Sequence, residues 1–308
     1  MRIAFIRTLC EIAKVDKRVF LLSGDLGYTV LEEFAKVFPD RYLNVGVAEQ
    51  NLVGIATGLA EAGYIPFVYS IVTFATLRAY EFIRNGPIAH QLPVRIIGVG
   101  GGMEYSHNGL THWGLEDLAV MRVQPGLSVI APADHLQAAT ALKQTWDLKG
   151  PIYYRLGKDE TSTVDGLHGR FKLSGVEEVA TGSDLLLLTT GAISQEVTRA
   201  AKVLYANGIN ATVVVVSTLN PAPLDELRHY LSRFSRVFTI EAHYVTGGLG
   251  SLACEIVAQY GLACRVERCG VDHLPDGRTG GQAYLQDQAG ISAKALVERA
   301  RTLVRTIA

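Results

Sequence analysis

The sequence predicts an α/β protein of two domains, each a mostly parallel sheet flanked by helices. Near-continuous apolar runs of strand length, at 19–23, 65–69, 94–99, 127–130, 184–190 and 211–217, alternate with helix-length stretches, the pattern of parallel strands covered on both faces. Residues 158–182 break that rhythm, with the polar run Lys158-Asp159-Glu160-Thr161-Ser162-Thr163. The junction is placed there, giving domains at 1–170 and 171–308. A chain of 308 residues is long enough for two domains of ordinary size.

The first series opens with the strand at 19–23, turns through Gly24-Asp25-Leu26-Gly27, and continues with a helical pattern at Val30, Phe34 and Val37. A strand at 41–46 leads into a helix starting at Glu49, then a short strand at 65–69, a helix near 75–84 and the strand at 94–99. A loop with two histidines follows, then the strand at 127–130, a helix with Asp134 as N-cap, and a strand at 151–155. The second series has strands at 184–190, 211–217, 237–241 and 264–269, with helices at 194–207 and 223–233, one after the turn 247–250, and a closing one at about 291–306. The sequence carries neither an internal repeat nor a low-complexity tract.

Composition limits the function classes. The hydrophobic share is 48%, the mean hydropathy +0.19, and the net charge −1 at a pI near 6.7, so nothing draws the chain to nucleic acid or a membrane surface. No apolar run approaches the ~20 residues of a membrane span, and no basic-then-apolar signal pattern opens the chain. The four cysteines, Cys10, Cys254, Cys264 and Cys269, form no C-x-x-C and read as free thiols of a reducing compartment. The expected location is the cytoplasm.

Three segments carry the chemistry. In Gly46-Val47-Ala48-Glu49-Gln50-Asn51, Glu49 falls on the first turn of a helix, beside the positive end of its dipole. Taken alone, it reads more readily as a solvent-facing cap. Behind it Gly54, Ala56, Gly58 and Ala60 are spaced to let another helix approach closely, as at a subunit interface. The stretch Ser70-Ile71-Val72-Thr73-Phe74-Ala75-Thr76-Leu77-Arg78-Ala79-Tyr80 carries Phe74, which on its own reads equally as a core-filling ring. The loop from Gly100 to Asp117 holds His107 and His112 among glycines, after an apolar strand. That is the end at which α/β sheets place ligands. Imidazoles there can exchange protons with hydroxyls near neutral pH. A His-x4-His spacing lacks the helical geometry or cysteine company of zinc, so no metal ligand is assigned.

Jointly these segments resemble the transketolase superfamily over essentially the whole chain. The resemblance implies a thiamine-diphosphate-binding fold followed by a transketolase C-terminal-like domain. In it Glu49 matches the glutamate that contacts the aminopyrimidine of thiamine diphosphate and drives activation of the cofactor. Phe74 matches an aromatic wall of the ring, while Ile71 and Leu77 stand where sugar-transferring members usually carry aromatic rings. Asp25 matches an aspartate near the thiazolium. His107 and His112 match histidines that contact the donor's hydroxyls and the reacting carbon. Arg155, and less directly Arg2, match arginines for the substrate's terminal phosphate, with an ordinary salt bridge as the alternative for each. Between the histidines only Asn108-Gly109-Leu110-Thr111 remain of a longer acidic family insert, and Glu116 is expected to tie the loop down. The Gly247-Gly248-Leu249-Gly250 turn reads as close helix–strand packing rather than a phosphate cradle, and His243 as structural or interfacial.

The family's Gly-Asp-Gly diphosphate–metal motif occurs nowhere in the sequence. The resemblance therefore implies half an active site, the C-terminal subunit of a split transketolase-like enzyme. A partner chain would supply the diphosphate site and its Mg2+ (or Ca2+), in an α2β2 heterotetramer. The reaction implied is transfer of a two-carbon ketol unit from a ketose phosphate to an acceptor. A β subunit of a 2-oxo-acid dehydrogenase is a rival, which the Thr-His-x3-Glu-Asp stretch at 111–117 disfavours. Transfer of the unit to an acyl carrier in a biosynthetic pathway, or a non-catalytic assembly subunit, are the remaining alternatives.

Overall fold

The apolar runs build two sheets. In the computed structural model, which describes residues 1–273 and 276–305, the strands are β1 (Val19–Ser23), β2 (Tyr42–Asn44), β3 (Ile65–Ile71), β4 (Arg95–Val99), β5 (Ser128–Ile130), β6 (Ile152–Leu156), β7 (Glu177–Ala180), β8 (Leu185–Thr190), β9 (Ala211–Val215), β10 (Thr218–Asn220), β11 (Arg236–Tyr244) and β12 (Arg265–Val271). The first sheet runs β10-β5-β6-β4-β3-β1-β2 and the second β12-β11-β8-β9-β7. All pairings are parallel except β10 with β5 and β7 with β9, which are antiparallel edges. Residues of β3, β4, β6 and β8 are buried throughout, which is why they read as continuous rather than alternating apolar runs.

Helices cover both faces of the first sheet. On one side the helix Arg2–Val15 packs on His135–Thr145, with Phe5 and Leu9 against Leu142 and Tyr154. Asp134 caps the latter helix as expected, its Oδ1 accepting from the Gln137 N–H at 2.8 Å. On the other side Glu49–Glu61 lies against β3. The expected helix near 75–84 is instead a short α-helix, Tyr80–Ile83, between two π-helical turns, Phe74–Arg78 and Arg84–Ile88. Such widened turns recur at functional sites.

The strand expected at 41–46 shortens to β2, since Gly46 turns the chain at φ +77°. The run expected as one strand at 211–217 ends at Val215, and β10 then leaves its own sheet to pair with β5. The closing helix is Ala293–Arg305; residue 306, its expected end, lies outside the described residues.

The domains are clamped through one segment of each. The Tyr244 N–H donates to Leu115 at 2.9 Å, the Ala119 N–H to His243 Nε2 at 3.3 Å, and Arg122 Nε to Gly247 at 2.9 Å. His243 is fully buried and interdomain; with Nε2 accepting, Nδ1 donates to the Tyr244 carbonyl at 2.7 Å. The 247–250 turn packs as expected. The Glu241 carboxylate occupies the helix start at Leu249–Tyr260, accepting from the Leu249 and Gly250 N–H groups at 2.8 and 2.9 Å, so the dipole's positive end already has its anion. A Cβ on Gly248 would fall 1.8 Å from Glu241 Oε2. Gly248→Ala should therefore lower stability by about 1–3 kcal/mol, read as a drop in Tm; an unchanged Tm would refute this account of the turn.

Candidate active site

The site is assembled at the C-terminal ends of β1, β3, β4 and β6. Glu49, the first residue of its helix, is 0% exposed, so it is no solvent-facing cap. Its Oε1 accepts from Ser70 Oγ at 2.9 Å and its Oε2 from Arg78 Nη1 at 2.5 Å. A Cβ at Gly24 would stand 3.3 Å from Oε1, so the absence of a side chain leaves room for the carboxylate.

From Glu49 a continuous line of side chains leads outwards. The Arg78 guanidinium lies over the Phe74 ring, Cζ 4.2 Å from its centroid. Phe74 meets His112 edge-on at 5.1 Å, and His112 meets Tyr105 at 5.7 Å. Lys158 Nζ sits 4.2 Å over Tyr105. Burial, with the positive charges of Arg78 and Lys158, holds the His112 imidazole below its ordinary value, so it is neutral at pH 7 and available as a proton acceptor. Its Nδ1 is 2.9 Å from Thr111 Oγ1, which leaves Nε2 uncommitted to that contact. Burial and the nearby Arg2 lower the Lys158 ammonium. Two cations that oppose each other's charge favour an anion between them.

Other expected residues fall differently. Asp25 is exposed at the rim, at φ +61°, its Oδ1 accepting from Asn44 Nδ2 at 2.8 Å. Ile71 is buried at the end of β3. Arg2 is half-buried and paired with Glu160 at 2.8 Å. His107 is exposed, and among the described residues no hydrogen bond, ion pair or ring contact ties its side chain to the line above.

Arg155 is not brought to this opening. It is 5% exposed, its Nε and Nη2 bond Asp117 at 2.8 and 3.0 Å, and Nη2 also reaches the Gly114 and Ala242 carbonyls. The salt-bridge alternative is thus the one the fold builds, because Arg155 lies within a fully buried strand while Lys158 lies past its end. Asp117, accepting also from Tyr153 Oη at 2.7 Å, ties the histidine loop down in place of Glu116, whose carboxylate, among the described residues, accepts from the adjacent Leu115 N–H at 3.2 Å. Sequence reasoning missed Ser70, Arg78, Tyr105 and Lys158. Arg78 follows Phe74 by four residues within the segment already singled out, and Lys158 follows Arg155 by three.

Glu104 supports the line from behind. It is buried, with Oε2 accepting from the Lys158 N–H at 2.7 Å, and burial pushes its carboxyl up to about 7 from 4.5. The fold prefers the protonated form, so this contribution is complete below pH 4.5 and lost as pH rises through about 7. Glu104→Gln, neutral at every pH, should remove a stability loss of up to about 3 kcal/mol across that window. Denaturant melts of both chains against pH test this, and parallel curves would contradict it.

Comparison with known proteins covers both domains. The family described as "Transketolase, pyrimidine binding domain" matches residues 1–163, and "Transketolase, C-terminal domain" matches 174–296. A putative transketolase C-terminal section from Methanocaldococcus jannaschii is 34% identical, covering 97% of this chain and 94% of the relative. The 6-deoxy-6-sulfo-D-fructose transketolase subunit SqwH of Clostridium sp. is 33% identical, covering 97% and 93%. A solved split-gene transketolase, described as an inactive β4 tetramer, superposes with a TM-score of 0.86 at 32% identity, covering 98% of this chain and 96% of that one. With its buried Glu49 at the end of a parallel sheet and both domains matched, this chain belongs to the transketolase family.

Proposed function

We propose that this chain is the β-type subunit of a split transketolase, with the domain junction near residue 170, acting with a partner that carries the diphosphate–metal half. The carrying observation is Glu49: a carboxylate with no exposed surface, held at a helix start beside a half-buried aromatic ring and a neutral imidazole. The residues present fit the pyrimidine end of thiamine diphosphate: an acceptor at the floor, the Phe74 ring, the apolar Ile71 wall, and space kept by Gly24. When bound, the cofactor supplies the carbon nucleophile that takes up and passes on a two-carbon ketol unit. Glu49 holds and exchanges a proton at Oε2. His112 Nε2 accepts a proton from a donor hydroxyl and returns it. Phe74 and Tyr105 flank His112 and exclude water. Lys158 and Arg2 hold the phosphate of the sugar, the role that the resemblance implied for Arg155 and Arg2. Asp25 remains at the rim, and His107, exposed on the same loop, is assigned no proton step.

Need for a partner rests on three things. Gly-Asp-Gly is missing from the sequence. Of the four small residues expected at an interface, Ala56 and Ala60 are buried in this chain's own core, while Gly58 faces open space and Gly54 meets only Phe82, itself exposed; among the described residues the two glycines leave that part of the helix surface uncovered. The split-gene relative of this shape is described as inactive in its β4 form. The assembly proposed is α2β2, with Mg2+ or Ca2+ held by the partner, in the cytoplasm.

Purified alone, the chain should bind thiamine diphosphate poorly in calorimetric titration, and tight binding without a partner would sink the half-site reading. In the assembled enzyme Glu49→Gln should abolish exchange of the cofactor's C2 proton, followed by NMR, with the circular dichroism spectrum unchanged; exchange at the wild-type rate would remove Glu49 from the mechanism. Lys158→Met should raise KM for a phosphorylated donor roughly tenfold while sparing kcat. A KM that stays put would return the phosphate to another group.

A further inference from the structure

The ion pair between Arg78 and Glu49 leaves a difficulty that the proposed function does not resolve. Both Glu49 oxygens have donors, Ser70 on Oε1 and Arg78 on Oε2. Ser70 is fully buried in β3 and cannot withdraw. Arg78 is 35% exposed on a π-helical turn, and the same guanidinium that bonds Oε2 also covers the Phe74 ring at 4.2 Å. A heterocycle that stacks on Phe74 and bonds Glu49 needs the surface and the oxygen that this one side chain holds.

We infer that Arg78 is the exchangeable counter-ion of Glu49: it covers the pyrimidine seat in the unassembled chain and swings off both Phe74 and Glu49 when the cofactor ring enters. This rests on the thiamine diphosphate reading above and deepens it. A carboxylate with no solvent access is costly to leave unpaired, so the chain needs a cation at Oε2 until a ring nitrogen takes its place. A half-exposed cation suits the task because its departure returns it to water, or to an acceptor on the partner's surface, at small loss. The same guanidinium helps hold His112 neutral, so its movement also changes the charge felt at the other end of the ring line.

The test is cofactor affinity. In the enzyme reconstituted with its partner, thiamine diphosphate is titrated calorimetrically against wild type and Arg78→Met. Removing the competing side chain should tighten Kd roughly fivefold, the weight of an ion pair of about 1 kcal/mol. Should Arg78→Met fail to fold, Arg78→Gln, a neutral donor that can still reach Oε2, carries the same expectation of tighter binding than wild type. An unchanged or weaker Kd in an intact assembly overturns the proposal, since an arginine that stays and merely supports the site cannot raise affinity by leaving. Glu49→Gln run in parallel separates the two readings. If C2 proton exchange survives that substitution, the thiamine reading itself fails; if it is lost while Arg78→Met fails to tighten binding, only the role of Arg78 falls.

Discussion

The Asp117–Arg155 pair is the contact on which the arrangement depends. At 1% and 5% exposure both charges are out of water, and each makes further bonds: Tyr153 Oη donates to Asp117, while Arg155 Nη2 donates to the Gly114 and Ala242 carbonyls. A buried pair satisfied only by itself would do little for stability, because desolvation of both ions offsets their attraction. Here the extra bonds tie β6 to the histidine loop and the loop to β11 of the second domain. His112 and Tyr105 therefore lie on a segment fixed at its far end to both sheets. The neighbouring backbone bonds from Tyr244 to Leu115 and Ala119 to His243 act in the same direction.

What was legible in the sequence follows from this physics. Strands buried on both faces give continuous apolar runs, so β1, β3, β4, β6, β8 and β9 could be read from local pattern. The helix Arg2–Val15 lacks a local start signal although Phe5, Leu9 and Ile12 lie on its buried face: its N-cap position is Met1, with no side-chain cap. β10 was beyond local reading, since three residues gain strand character only by pairing with β5, about ninety positions earlier in the chain. Its crossing also means that the second domain completes the edge of the first sheet.

In the site, residue type and position along a motif found Glu49, Phe74 and His112, and the structure brings those three together. The choice between Arg155 and Lys158 needed burial, which the sequence signals only through where β6 stops. Arg155 sits one residue before the strand's end and points among buried groups; Lys158 sits two residues beyond the end. Tyr105 acts through a ring face, and stacking leaves no spacing rule in a single sequence; Arg78 has a spacing from Phe74 that could be read, but its ion pair with Glu49 joins positions 29 residues apart.

Four further carboxylates are buried in the fold, and they differ from Glu49 in their donors. Asp134 bonds the Gln137 and Val164 N–H groups, Glu241 the Leu249 and Gly250 N–H groups, Glu104 the Lys158 N–H, and Asp117 a buried arginine and tyrosine. Their donors are backbone or buried side chains, which cannot leave without opening the fold. Glu49 alone among these five has a donor with a third of its surface in solvent. A buried acid whose partner cannot move is a structural tie; one whose partner can be exchanged can hand that place to a ligand. The distinction lies in the exposure of the donor rather than in the carboxylate, and for that reason it could not be drawn from Glu49 itself.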